Sequence, residues 1–129
     1  MKKELKSSKA PGAIGPYSQA VKAGNFIYVS GQLPINAETG LMPEDIKEQT
    51  KQSLENIQAI LAEAGASLDN VVKSTVYLDD MSNFGPMNEV YGEYFKGRVY
   101  PARAAFAVKE LPKKAKVEIE VVAFHCSES

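Results

Sequence analysis

The sequence is poor in the residues that build metal centres, disulfides and histidine-activated nucleophiles. Its 129 residues include one cysteine, one histidine and no tryptophan. Cys126 has no second cysteine with which to form an intrachain disulfide, which agrees with a reducing compartment. His125 and Cys126 are adjacent, so in an extended chain they point to opposite sides and cannot bind one metal ion together. We therefore expect no metal site and no serine or cysteine nucleophile.

Long apolar runs and an excess of positive charge are also missing. No window approaches the roughly 18 apolar residues that a membrane span requires, and no apolar run of signal length follows the basic N-terminus. The formal net charge is −1, which does not favour nucleic acid as a partner. There is no Walker A or dinucleotide-binding glycine pattern. We expect a cytoplasmic protein without a membrane or nucleic-acid partner.

What remains is an ordinary globular composition. The chain is 44% hydrophobic and 24% charged, and its length is near the commonest domain size. We predict a single domain over residues 1–129.

The apolar pattern predicts two helices and five strands. Gly24 and Asn25 separate two short segments of β propensity and supply the positive φ of a tight hairpin. Apolar residues recur at helical spacing before Gly65, and Pro86 places a second helix's first turn nearby. The predicted strands cover 17–23, 26–30, 71–78, 100–108 and 117–124, and the helices cover 45–64 and about 79–95. This order predicts an α+β sandwich with both helices on one face of a mixed sheet.

One charge interrupts the apolar strand at 100–108. Arg103 is flanked by small apolar residues, and burying a lone guanidinium costs several kcal/mol or more. It must therefore reach solvent or meet an anion. Its planar, permanently charged fork is the side chain best suited to bind a carboxylate at two points.

Two acids mark the last strand. Glu118 and Glu120 share one face because side chains alternate along a strand. With Arg103 on a neighbouring strand, they suggest a small polar site, in which one acid could direct or deprotonate water. The pattern is equally compatible with a structural ion pair between Arg103 and either acid. For the acids alone it favours an exposed, solvated face.

Other polar residues carry no chemical signal by pattern alone. Tyr17, Ser30, Gly31 and Asn88 are more typical of turns and packing than of ligand contacts, and Gly31 could simply allow the backbone to turn.

Five motifs in order give the sequence a family resemblance. They are AIGPYSQ at 13–19, VSGQLP at 29–34, QSLENI at 52–57, PAR at 101–103 and VEIE at 117–120. With these motifs the chain resembles the RidA family of reactive-intermediate (enamine/imine) deaminases from about residue 9 to residue 124.

The resemblance implies a fold, an assembly and an activity. The fold is a chorismate-mutase-like α+β sandwich, and three copies form a homotrimer whose sheets pack into a central barrel. Clefts at the three subunit interfaces hydrolyse 2-iminobutanoate and 2-iminopropanoate to 2-oxo acids and ammonia. No cofactor is expected.

The resemblance also assigns roles. Arg103 matches the carboxylate-binding arginine and Glu118 the acid that directs water, whereas Glu120 is expected to be structural. Ala105 stands where the family usually has cysteine, and we expect its backbone N–H to preserve the contact with the substrate carboxylate. The other positions matching the cleft lining are Tyr17, Ser30, Gly31 and Asn88.

Two other functions are compatible with such a protein. One is a non-catalytic trimer that binds small carboxylic acids or regulates a partner. The other is RNA cleavage or translation inhibition, which the net charge of −1 and the lack of a clustered basic patch disfavour.

Overall fold

The sheet of the protein has six strands and is mixed. The computed structural model describes residues 1–126. Its strand order is β1-β2-β3-β6-β4-β5, in which β4 and β5 are parallel and all other neighbours antiparallel. The elements are β1 (Lys2–Leu5), β2 (Ala20–Ala23), β3 (Phe26–Gln32), α1 (Ile46–Ala62), β4 (Val71–Leu78), α2 (Phe84–Tyr94), β5 (Ala102–Ala107) and β6 (Val117–Phe124).

The predicted hairpin forms between β2 and β3. Ala23 pairs with Phe26, which leaves Gly24 and Asn25 as a two-residue loop. Gly24 has a φ of 61°, a conformation that costs glycine nothing.

Helix α1 begins where its sequence provides a cap. The Asp45 carboxylate accepts hydrogen bonds from the backbone N–H groups of Lys47 and Glu48, which satisfies two of the free donors at the helix start. Leu54, Ile57 and Leu61 recur at helical spacing and are fully buried. The helix packs through this stripe on β3 and β6.

Helix α2 follows a short 3₁₀ turn and packs against α1. Pro86 is its third residue, within the first turn, where its missing N–H has no intrahelical partner to lose. Met87, Val90 and Tyr91 form the buried side of the helix.

The two faces of the sheet differ. On β6, Val117, Ile119, Val121 and Ala123 are buried under the helices, while the even-numbered residues point to the other side. No helix of the described chain covers that second side, which we call the open face. The predicted α+β class, with two helices on one face of a mixed sheet, is confirmed.

Several predicted details were wrong. Strand β1 was not predicted, because its lysine-rich sequence has little β propensity and its position depends on pairing with β2. Strands β2 and β5 are shorter than predicted, and β3 extends to Gln32. Strands β5 and β6 are not neighbours, since β4 lies between them.

Candidate functional site

Arg103 and Glu118 do not meet within one chain. Arg103 pairs with Ser74, a buried residue of the helix-covered face, whereas Glu118 pairs with Tyr77 on the open face. The two side chains therefore emerge on opposite sides of the sheet. The expectation of one polar site on adjacent strands was wrong, because sequence alternation fixes faces within a strand but not the order of strands.

Three side chains of helix α2 contact the Arg103 guanidinium. Its Nη1 donates a hydrogen bond of 2.7 Å to Asn88 Oδ1. Its Cζ lies over two aromatic rings, 4.7 Å from the centroid of Tyr91 and 5.4 Å from that of Phe84, within the range of cation–π attraction. We call Arg103, Asn88, Tyr91 and Phe84 the arginine half-site.

No acidic side chain of residues 1–126 pairs with the Arg103 guanidinium. Among residues 1–126, Arg103 forms no salt bridge within 4.0 Å, and Asn88 is its single side-chain hydrogen-bond partner. The alternative of an ion pair with Glu118 or Glu120 was therefore wrong. An open cleft of about 400 Å³ adjoins the side chain and is lined by Asn88, Tyr91, Gly92, Tyr100, Pro101 and Arg103.

Ala105 lies two residues beyond Arg103 on β5 and thus on the same face. It pairs with Val76 and is half-buried against the core. Strand β5 is an edge of the sheet, so backbone groups along its outer side have no partner strand within the described part of the chain.

The second cluster lies where β3 and β6 lose register. Val29 pairs with Val121 and Gln32 with Ile119, so β3 has one extra residue in this interval, as in a β-bulge. Ser30 and Gly31 form the bulge. A side chain at Gly31 would overlap Glu118 Oε2 and come within 3.0 Å of its Cδ, so glycine leaves the space that the Glu118 carboxylate fills.

Hydrogen bonds connect this bulge to the segment that carries Tyr17. Ser30 Oγ donates to the Ser18 carbonyl at 2.6 Å, and Ser30 N–H donates to the Gln19 carbonyl at 2.9 Å. An open cleft of about 580 Å³ has both Tyr17 and Gly31 in its wall. We call Glu118, Gly31, Ser30 and Tyr17 the glutamate half-site.

The electrostatics of the open face raise the pKa of Glu118 above its ordinary value. Burial raises the pKa of Glu118, and the nearby Glu120 carboxylate raises it further. Glu120 accepts a hydrogen bond of 2.5 Å from the Tyr77 hydroxyl. That bond, with burial as the lesser cause, raises the pKa of Tyr77 to about 12. The two neighbouring acids thus differ in environment.

The sequence analysis missed Tyr91 and Phe84 of the arginine half-site, and it missed Tyr77, which hydrogen-bonds Glu120. Tyr91 and Phe84 look like packing residues of α2, and Tyr77 like an ordinary strand residue. Helical spacing places Phe84, Asn88 and Tyr91 on one side of α2, at i, i+4 and i+7. That spacing was the one available signal, but nothing local shows that Arg103 faces it.

Residues 1–126 contain neither a candidate membrane-spanning helix nor a candidate metal-binding cluster. No helix there is both long and apolar enough to cross a membrane. No group of three or more histidine, cysteine, aspartate or glutamate side chains in that range could hold a metal ion.

Comparison with known proteins identifies the family. The family model described as Endoribonuclease L-PSP matches residues 7–125. A RutC family protein of Pyrococcus abyssi is 58% identical over 124 residues, which cover 95% of this chain and 97% of that protein. The chain belongs to the RidA family.

The names of other family members state an activity or a bound molecule. The 2-iminobutanoate/2-iminopropanoate deaminase of mouse is 48% identical over 124 residues, covering 95% of this chain and 91% of that protein. The crystal structure of E. coli TdcF with bound serine has a TM-score of 0.92 and 41% identity, over 96% of this chain and 99% of that one. RidA relatives of this chain thus include an imine deaminase and a protein that binds a small amino acid.

Proposed function

We propose that this RidA protein hydrolyses 2-imino acids, such as 2-iminobutanoate and 2-iminopropanoate, to 2-oxo acids and ammonia. The observation that carries the proposal is the Arg103 guanidinium, which side chains of α2 hold in place and which pairs with no acidic side chain of residues 1–126. A guanidinium has five N–H donors, and Asn88 accepts from one of them. The remaining fork fits the carboxylate of an imino acid at two points.

The reaction also needs a group that activates water. In our proposal this group is Glu118, which lies across the sheet from Arg103 in the same chain. The two half-sites therefore combine between copies: Arg103, Asn88 and Ala105 come from one subunit and Glu118, Gly31, Ser30 and Tyr17 from the next. A homotrimer closes such a head-to-tail contact into a ring.

The chemical steps balance without a cofactor. Arg103 and the backbone N–H of Ala105 bind the carboxylate. Glu118 takes a proton from water while the water oxygen forms a bond to the carbon of the protonated imine. The π electrons move to nitrogen, giving a carbinolamine. Glu118 returns the proton to nitrogen, the C–N bond breaks to release ammonia, and the hydroxyl becomes the 2-oxo group as it loses its proton.

The raised pKa of Glu118 supports this role. A general base is most effective when its pKa is close to the working pH, and burial together with Glu120 moves the pKa of Glu118 in that direction. The names of the mouse and E. coli relatives support the substrate class.

A trapping competition tests the proposal. Threonine dehydratase generates the imine, semicarbazide traps it, and the protein competes with the trap. We expect wild type to suppress the adduct and Arg103→Ala to lose roughly 100-fold or more in kcat/KM, since hydrogen bonds to charged groups contribute about 1.5–3 kcal/mol each.

Arg98→Ala is the matched control, because Arg98 is the other arginine of the chain and is exposed. It should behave like wild type. Failure of wild type to suppress the adduct at micromolar concentration, with retained binding of 2-oxo acids, would instead support a non-catalytic carboxylate-binding protein. Cleavage of RNA by the same preparation would support the activity in the family model's description.

A further inference from the structure

Tyr91 is the closer of the two rings that meet the Arg103 guanidinium. The Arg103 Cζ lies 4.7 Å from its ring centroid. Tyr91 itself is 5% exposed, so the ring offers its face to the guanidinium from inside the protein. A cation against a desolvated ring is attracted more strongly than one at an exposed ring.

The Tyr91 ring is fixed from two sides. Its hydroxyl and Ser74 Oγ form a buried hydrogen bond of 2.6 Å, and its ring packs on Phe95 with 4.4 Å between centroids. Ser74 is the residue that pairs with Arg103 between β4 and β5. The ring is therefore anchored to the strand position directly beside the arginine that it contacts.

The type of contact leaves the guanidinium available. A carboxylate partner would use the N–H edge of the fork, which is the part that a substrate carboxylate needs. The rings of Tyr91 and Phe84 contact the guanidinium without supplying a carboxylate oxygen, and among the described side chains only Asn88 accepts a hydrogen bond from it. The two rings restrict a long side chain that would otherwise populate many rotamers.

We propose that Tyr91 is a positioning residue whose ring pre-orients Arg103 for a carboxylate ligand. The proposal rests on the proposed function for the identity of that ligand. Tyr91 touches no reacting atom, so it acts through Arg103, and its loss weakens carboxylate binding more than the chemical step. Burial raises the pKa of Tyr91, so its ring stays neutral where the protein is assayed.

Three variants separate positioning from packing. Tyr91→Leu removes the ring, Tyr91→Phe keeps the ring and loses the Ser74 bond, and Tyr94→Leu is the control. Tyr94 lies on the same helix, is partly buried and hydrogen-bonds Glu55. Thermal unfolding identifies a temperature at which all variants are folded, and Tyr91→Met replaces Tyr91→Leu if the latter does not fold.

The first measurement is affinity for 2-oxobutanoate by calorimetry, with KM and kcat for the imine beside it. For Tyr91→Leu we expect the affinity to fall and KM to rise roughly 3- to 30-fold, the range given by cation–π energies, with kcat changed less. Tyr91→Phe should stay within about twofold of wild type, because the ring is retained. Equal affinities in Tyr91→Leu and Tyr94→Leu would overturn the proposal.

The second measurement needs no ligand. The chain has two arginines, so a ¹⁵N–¹H spectrum shows two Nε–H signals, of which the one absent in Arg103→Lys belongs to Arg103. We expect ring currents to shift that proton upfield of the Arg98 signal. Tyr91→Leu should move it towards the Arg98 position, whereas Tyr91→Phe and Tyr94→Leu should leave it in place.

The affinity measurement and the Arg103 Nε–H signal test the proposed function and the positioning role of Tyr91 separately. If wild type neither binds 2-oxobutanoate nor hydrolyses imines, the proposed function fails, and the Arg103 Nε–H signal still decides whether Tyr91 holds the guanidinium. An unshifted signal in wild type, or one that Tyr91→Leu does not move, would overturn the positioning role.

Discussion

At the scale of single residues, the two charged groups of the proposed site depend on opposite kinds of surroundings. Arg103 is accessible, and its guanidinium is held by the Tyr91 ring and by Asn88. Glu118 is half-buried, and it shares the open face with a second acid. The cation is thus held in place and accessible, while the raised pKa of the acid suits a group that accepts and returns a proton.

Glu120 is expected to tune Glu118. Because burial and, to a lesser extent, Glu120 raise the pKa of Glu118, its base form appears at higher pH than that of an ordinary glutamate. Glu120→Gln removes the repulsion while burial remains, so the pKa of Glu118 should fall. We predict that the acid limb of kcat/KM against pH moves to lower pH in this variant.

Glu63→Gln serves as the control, since Glu63 is an exposed acid at the end of α1, away from the open face. Its acid limb should coincide with that of wild type. A Glu120→Gln limb that stays in place, or moves to higher pH, would show that Glu120 does not set the protonation of Glu118.

At the scale of elements, the bulge in β3 decides where Glu118 can lie. Gly31 lies in the bulge beside Glu118, and because glycine has no side chain, the Glu118 carboxylate fills the space next to it. Bulges beside functional groups commonly re-aim a side chain.

Gly31→Ala should therefore displace Glu118 and lower kcat/KM by roughly 100-fold, the scale of loss from a misplacement of about 1 Å. The steady-state assay checks this result. Gly85→Ala is the control, because a methyl group there meets nothing within 4 Å, its φ lies outside the left-handed region and it lines neither cleft. Activity near wild type in Gly31→Ala would mean that the carboxylate need not occupy that space.

The elements also show what a sequence can predict. Helix α1 and the β2–β3 hairpin follow from local signals, namely the Asp45 cap, the apolar stripe and the Gly24 turn. The order β6-β4-β5 depends on pairing between segments far apart in the chain, which no local pattern determines.

The site was predictable to the same extent. Family motifs indicated Arg103 and Glu118 as candidate site residues. They did not show that the two side chains lie on opposite faces of the sheet. Tyr91 and Tyr77 became visible only once strand pairing brought them beside those residues.

At the scale of the whole molecule, the open face is unusually aromatic. Phe26, Tyr28, Phe106 and Phe124 are each 41–50% exposed, and Phe26 and Phe124 pack edge to face with 5.1 Å between centroids. Apolar surface of this kind commonly marks a protein interface. It supports the proposal that three copies cover it with one another.

Mixed assemblies give the sharpest test of a shared site. Arg103→Ala and Glu118→Gln subunits should each be inactive alone. When they are co-expressed in equal amounts, about a quarter of the interfaces should pair an intact Arg103 with an intact Glu118 and recover activity, as expected for a head-to-tail contact.

A double variant carrying both changes, mixed with wild type, is the control for subunit exchange. No recovery from the two single variants would mean that the two half-sites do not combine. A sizing measurement accompanies the assay, and a particle of 14.0 kDa, the mass of one chain, would contradict the trimer.

Arg103 and Glu118 lie on opposite sides of one sheet, so the proposed mechanism makes catalysis depend on association. On that mechanism, a chain that has folded but has not yet associated should not hydrolyse imines. The activity per chain should then depend on protein concentration. Dilution should abolish activity at concentrations where each subunit is still folded.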